Sequence, residues 1–253
     1  MSSCTEQLDG VEGSLTARVW TALRRKLSTL RAEQTRFGWR SMLRLVADRV
    51  GGRLLNLKIV NVVWLDVGEV AVTAASLPDF TFRFLSPDEV AHYAADPAHD
   101  LEPDLADRAA DGRNSCFAAL DGDRLAAYGW YAREWIEPEH CYGFGLRMPA
   151  EVAYMYKGFT HPDYRGKRLH GAVMGLALRA FSEHGVRALI STVEWTNDAS
   201  LKSCARLGYR QIGQLAHARF LGRSCWRTSS KTRERGVQIV TPRNASTGKL
   251  TIV

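Results

Sequence analysis

The chain has 253 residues, 45% hydrophobic and 24% charged, with a formal net charge of +7. That length suits one large domain, or one of ordinary size with extensions, and the apolar content excludes general disorder. The charge is uneven: residues 1–58 hold eleven Lys/Arg against five Asp/Glu, residues 222–253 hold seven against one, and the stretch between is acidic.

Basic ends suit an anionic membrane surface or an acidic partner, or simply solvate the termini. No nucleic-acid reading motif accompanies them, so nucleic acid is not an expected partner. The five cysteines are widely spaced with no CxxC pair. This excludes a disulfide framework and a zinc site, no metal is expected, and a reducing cytoplasm fits best. The opening MSSCTEQLDG lacks the apolar run of a secretory signal. No apolar stretch of about 18 residues exists, so a spanning helix is not expected.

In chain order, residues 14–50 read as helix, with Val19, Leu23, Leu27 and Leu30 at helical spacing. Gly38 is a candidate break, and Gly51-Gly52 the candidate stop. Residues 54–66 and Phe80–Phe84 are β-rich. Ser86-Pro87-Asp88-Glu89 has the form of a capped helix start, with Glu89 three residues after the Ser86 cap. Residues 97–112 read as an acidic, exposed helix. Ser115–Asp121 and Arg124–Trp135 flank Gly122-Asp123, a hairpin signal. A looser stretch, Glu137–Pro149, follows.

An alternating series comes next. Val152–Thr160 reads as strand, Lys167–His184 as helix, Arg187–Val193 as strand, Ala199–Arg206 as helix, then Tyr209–Ala216 and Ala218–Arg227 as strands. Such alternation predicts an α/β (α+β) fold with a mixed, partly parallel central sheet flanked by helices, plus an N-terminal helical extension. The polar, basic tail from Ser229 is expected to be loosely ordered. The expected organisation is 1–65 extension and strand, 79–228 principal domain, 229–253 tail.

Chemistry concentrates in the strand-loop-helix that contains His161-Pro162-Asp163-Tyr164-Arg165-Gly166-Lys167-Arg168-Leu169-His170-Gly171. Proline ends the strand, and the first-turn N–H groups of the following helix lack internal partners and sit at the positive end of its dipole. Such a place binds phosphate. Gly166 lets the chain approach a ligand, and Arg165, Lys167 and Arg168 add positive charge. Downstream, Asn197-Asp198-Ala199-Ser200 opens a helix that Leu207-Gly208-Tyr209 closes, with Asn197 as cap and Gly208 past the end.

The two segments, in this order and about 30 residues apart, resemble the GNAT superfamily of acyl-CoA-dependent N-acetyltransferases. The first is similar to that family's pyrophosphate motif, (Q/R)-x-x-G-x-(G/A), and the second to its N-x-x-(A/S)…L-G-(F/Y) segment. The resemblance covers roughly 115–228, plausibly 79–114, and not 1–65. It implies acetyl-CoA as donor and no metal, with the diphosphate on Arg165, Gly166, Lys167, Arg168, Leu169, His170 and Gly171. The pantetheine arm would lie by Phe159 and Thr160, with Asn197 near it. A neutral amine of a small molecule would attack directly.

Three departures stand out. Arg168 and His170 occupy positions where the family usually has glycine, and glycine or alanine. Cys204 stands where a tyrosine often protonates the leaving thiolate. Tyr154 stands where some members carry a basic glutamate. The candidate catalytic residues are therefore Glu194 as base, Cys204 and Tyr154, with Glu151, Tyr156 and His170 as further base candidates. The acceptor is expected near residues 79–114, the hairpin tip and Trp130, Tyr131, Trp135, His140 and Tyr142, whose aromatic character suits an apolar or sugar-like amine. A longer-chain acyltransferase served by acyl-CoA or acyl-carrier protein, with the basic ends against a membrane or the carrier, stays open. So do a non-catalytic CoA-binding module and a homodimer.

Overall fold

The computed structural model describes residues 35–71, 76–102, 104–110, 112, 114–221, 223–242 and 250–252. The helical stripe Val19–Leu30 and the N-terminal decapeptide lie outside them.

The chain divides into two units, residues 1–55 and 56–253. Within the first, α1 spans Trp39–Leu55. Gly38 at φ +86° stands outside it, as its sequence suggests. The helix runs through Gly51-Gly52 rather than stopping there. Glycine costs a helix only about 1 kcal/mol relative to alanine, so two glycines weaken it without ending it.

The second unit carries everything else. In order these are β1 (Lys58–Asp66), β2 (Thr81–Phe84), α2 (Pro87–Ala94), α3 (Leu105–Ala110), β3 (Asn114–Asp121), β4 (Arg124–Arg133), β5 (Trp135–Ile136) and β6 (Gly145–Arg147). Then come β7 (Val152–Thr160), α4 (Leu169–Ser182), β8 (Ala188–Glu194), α5 (Asp198–Arg206), β9 (Arg210–Phe220), β10 (Arg223–Thr228), α6 (Ser230–Glu234), β11 (Gln238–Pro242) and β12 (Leu250–Ile252). The start of α2 is the box read from sequence: Ser86 Oγ accepts from the Glu89 N–H at 3.2 Å, and Glu89 accepts from the Ser86 N–H at 2.9 Å. Among the described residues of 97–112 are the short α3 and a 3-10 turn rather than one long helix, and Leu105 is fully buried rather than exposed.

Eight strands form the main sheet in the order β10-β9-β1-β8-β7-β4-β3-β2, and β12-β11-β6-β5 form a second. The sheet is mixed as expected: β7 and β8 are parallel, while the other pairings are antiparallel. Lys58–Asp66, grouped by sequence with the N-terminal extension, is a central strand between β8 and β9. Its residues from Val60 to Leu65 are all buried, which explains a run apolar on both faces. The tail is ordered through Pro242: Val237, Ile239 and Val240 are buried, and β11 pairs with β6. A polar composition concealed these three apolar anchors.

On one face of the main sheet, α4 buries Leu169, Val173, Ala177 and Phe181 against Val63, Phe117, Ala153, Met155 and Leu189. On the other, Trp64, Tyr154 and Ile190 pack with Phe144, Leu146 and Ile239, while Ala118 and Trp130 pack with Val90 and Leu105. Full burial of a large apolar side chain contributes about 1.5–3 kcal/mol. The sheet therefore separates an α4 side from a side built by α2, α3 and the second sheet. No helix among the described residues is long and apolar enough to cross a membrane.

Candidate active site

The site begins where two parallel strands part. β7 and β8 pair only at Val152–Tyr154 with Ala188–Ile190. Just beyond, the β4–β7 register slips: Trp130 faces Lys157 and Tyr131 faces Met155, which leaves Tyr156 as the extra residue of a β-bulge. The bulge bends β7 away, and Ser191 Oγ donates to the Met155 carbonyl at 2.9 Å at the parting.

The opening leads to a cavity of about 760 Å³ on the side away from α4. Tyr154, Tyr156, Lys157, Ser191 and Thr192 form its strand wall, while Glu102, Asp104, Glu139, His140 and Tyr142 close it. The wall is more charged than the aromatic-rich sequence suggested, with the carboxylates Glu102, Asp104 and Glu139 beside the cations Lys157 and Arg108. Lys157 Nζ bridges Glu102 at 3.0 Å and Asp100 at 3.6 Å. Arg108 meets Asp104 at 3.1 Å and Glu137 at 3.7 Å. The aromatics divide: Trp130 and Tyr131 are core, whereas His140 and Tyr142 line the cavity.

On the α4 side, the first intrahelical bond runs from the Ala172 N–H to the Arg168 carbonyl at 3.2 Å. The N–H groups of Leu169, His170 and Gly171 precede it and have no helical carbonyl to bind. The turn that frees them is left-handed at two points, Gly166 at φ +84° and Arg168 at φ +61°. Arg168 thus keeps the backbone shape that glycine adopts freely, at a steric cost. An added Cβ at Gly166 would meet nothing within 4 Å, so a ligand has room there. The loop is anchored by Tyr164, whose hydroxyl donates to Asp121 at 2.8 Å. Lys167 Nζ lies 5.1 Å from the Tyr164 ring centre and 5.7 Å from that of Phe80. Arg165, Lys167 and Arg168 are exposed.

Asn197 caps α5, its Oδ1 accepting from the Ser200 N–H at 3.0 Å, and Gly208 past its end has φ +90°. Both agree with the sequence reading. A second cavity, of about 570 Å³, opens between α4 and α5 beside Lys167, Arg168 and Arg206.

The candidate catalytic residues separate. Side chains alternate along β8, so Glu194 shares the face of Thr192, which lines the acidic cavity. Its charge adds to the burial that raises the Tyr142 phenol above its ordinary value. Tyr154 is fully buried, with its hydroxyl on Thr192 Oγ1 and Cys141 Sγ. Burial drives this phenol well above its ordinary value. It is a neutral phenol near neutrality, so the glutamate position counted in the resemblance supplies no base here. Cys204 packs on the α4-side core, and burial raises its thiol, which stays protonated near neutrality. Phe159 stacks on Tyr128 with ring centres 5.5 Å apart, and Thr160 ends β7. Sequence reasoning missed Lys157, Ser191 and Thr192, and it named the 79–114 segment without singling out Glu102 and Asp104. Only the bulge and the fold-back of the acidic segment bring them together, and neither leaves a local signal.

The residue 79–209 segment matches the model of the Acetyltransferase (GNAT) family, just over half of the chain. The chain belongs to that family. Among solved structures it is similar to a GNAT-family protein from Novosphingobium aromaticivorans DSM 12444, with 14% identity over 64% of this chain and 63% of that one, TM-score 0.43. It is also similar to a tandem GNAT protein from the clavulanic acid biosynthesis pathway, with 15% identity over 62% and 51%, TM-score 0.39. A third is the AAC(6')-Iy aminoglycoside N-acetyltransferase with a bisubstrate analogue, with 15% identity over 52% and 91%, TM-score 0.40. The chain thus spans under two thirds of the first two. No curated protein matches it.

Proposed function

We propose that this chain transfers the acetyl group of acetyl-CoA to a primary amine of a small molecule. The reading rests on one observation: β7 and β8 part at Tyr154 and Ile190, with an unsatisfied helix start on one face of the sheet and an acidic cavity on the other.

The residues fit the donor. Three free amides, the open turn at Gly166 and the exposed Arg165, Lys167 and Arg168 form a diphosphate cradle. The Lys157–Thr160 stretch of β7 then flanks the pantetheine arm, with the thioester at the bulge. Phe159 and Thr160 offer backbone there, and Asn197 fixes the start of α5 across the gap. A backbone N–H of β7 polarises the thioester carbonyl.

The amine enters from the acidic cavity. Its neutral nitrogen attacks the thioester carbon, Glu194 takes the ammonium proton, and the C–S bond breaks to release thiolate, which Cys204 protonates. Catalysis is mainly positioning, with proton transfer worth about 10²–10⁴-fold. The lining carboxylates Glu102, Asp104 and Glu139 offer partners to a cationic amine.

The test is acetyl transfer from labelled acetyl-CoA to a panel of amino sugars, amino acids and diamines. Acetylation of any of them supports the reading. Folded protein that binds CoA yet acetylates none, while longer acyl-CoAs react, transfers the reading to a longer acyl group.

A further inference from the structure

We propose that His170 couples donor binding to proton uptake: its imidazole gains a proton when a CoA diphosphate settles on the first turn of α4, so the donor binds more tightly as pH falls through neutrality. This rests on the donor site described above.

The geometry comes from two neighbours. His170 is the second residue of α4, and its own N–H is among the three free amides. Its ring lies on β7, where a Cβ placed on Gly158 would sit 2.6 Å from Cε1 and 3.1 Å from Nδ1 of the imidazole. The Met155 methyl closes the same spot at 2.6 Å. The ring is therefore held between the helix start and the strand beside which the donor arm runs.

His170 is exposed as a residue, yet its ring edge rests on Gly158 and Met155, and in the free protein this packing disfavours the charged ring. His170 is pushed below the ordinary imidazole value, and desolvation is the cause. β7 presents Met155 and Gly158 to it, while Lys157 pairs with Glu102 and Asp100. The preceding loop brings Arg165, Lys167 and Arg168. α5 meets α4 where Gly171 faces Leu207, and Arg206 lines the α4–α5 cavity together with Lys167 and Arg168. The segment after β1 adds Glu69 across the α4–α5 cavity. Cations outnumber carboxylates in this set, so the site stays positive until the diphosphate arrives.

Two negative charges at the helix start invert that balance and favour imidazolium. Among the side chains of the cradle, imidazole is the type whose ordinary titration range spans neutrality, so its charge can respond. Each unit by which the bound-state pKa exceeds the free-state pKa tightens binding about tenfold on the acid side.

The experiment is titration calorimetry of the full chain with dephospho-CoA, which lacks the 3′-phosphate that itself titrates near pH 6. Buffers of differing ionisation enthalpy count the protons taken up. The expected result is uptake of part of a proton near neutrality, and a Kd that falls about tenfold from about pH 8 to about pH 6. His170→Asn binds with no uptake and a flat profile, and circular dichroism confirms its fold. Uptake that persists in His170→Asn, or a wild-type Kd independent of pH with no uptake, overturns the proposal while leaving the donor site intact. Folded wild-type protein that binds neither CoA nor dephospho-CoA overturns the donor site and the proposal together.

Discussion

The Tyr154 hydroxyl lies 2.5 Å from Thr192 Oγ1 and 3.1 Å from Cys141 Sγ, closing a buried network beneath the point where β7 and β8 separate. Tyr154→Phe leaves the Thr192 hydroxyl and the Cys141 thiol with one partner fewer. The expected loss is about 1–2 kcal/mol of unfolding free energy by urea titration. Acetyl transfer should stay within a few-fold of wild type, because a buried neutral phenol is no base. A folded, CoA-binding Tyr154→Phe without turnover would give the phenol a chemical role.

Arg168 holds a left-handed conformation at φ +61° just before α4. A side chain costs about 1–2 kcal/mol there, and glycine avoids most of it. Arg168→Gly should therefore raise Tm by a few degrees in calorimetry. An unchanged or lowered Tm would mean that the arginine side chain makes contacts that outweigh the strain.

Glu194 sits on the cavity face of β8 beside Tyr142. Glu194→Gln should lower kcat about 10²–10⁴-fold at neutral pH with CoA affinity unchanged. Turnover within threefold of wild type would hand the base role to another carboxylate of the cavity or to ordered water.

Glu89 is drawn down to about 2, first by the Arg83 guanidinium and then by the Ser86 amide. Its folded value lies below its unfolded one, so its contribution is complete above about pH 4.5 and fades as pH falls towards about 2. Both side chains are partly exposed, which keeps the effect small. The stability gap between wild type and Glu89→Gln should narrow steadily from pH 6 to pH 3 in urea titrations.

Local chemistry was legible in the sequence. The Ser86 box, the Asn197 cap and the Gly122-Asp123 turn each depend on a few consecutive residues, and the structure places each as read, whereas the helix read from Lys167 begins at Leu169, after a left-handed Arg168. The departures at Arg168 and His170 could be seen too, though not that one is backbone strain and the other a ring resting on Gly158. What escaped was decided at a distance. Nothing within 58–66 says that this strand enters between β8 and β9, since its register is set by residues more than 120 positions later. The acidic cavity depends likewise on the bulge at Tyr156 and on a segment folded back from residues 100–108. Val237, Ile239 and Val240 were hidden in a basic tail because composition averages over the three side chains that matter.

The central claim is that the α4 amides hold a diphosphate. Calorimetry with CoA and with pantetheine, which lacks the nucleotide and its phosphates, tests it most directly when paired with amide shifts of Leu169, His170 and Gly171. CoA should bind at least about a hundredfold more tightly, as charge-assisted bonds worth about 1.5–3 kcal/mol each require, and should move those three amides. Equal affinities, or CoA binding that leaves the three amides unmoved, would contradict it.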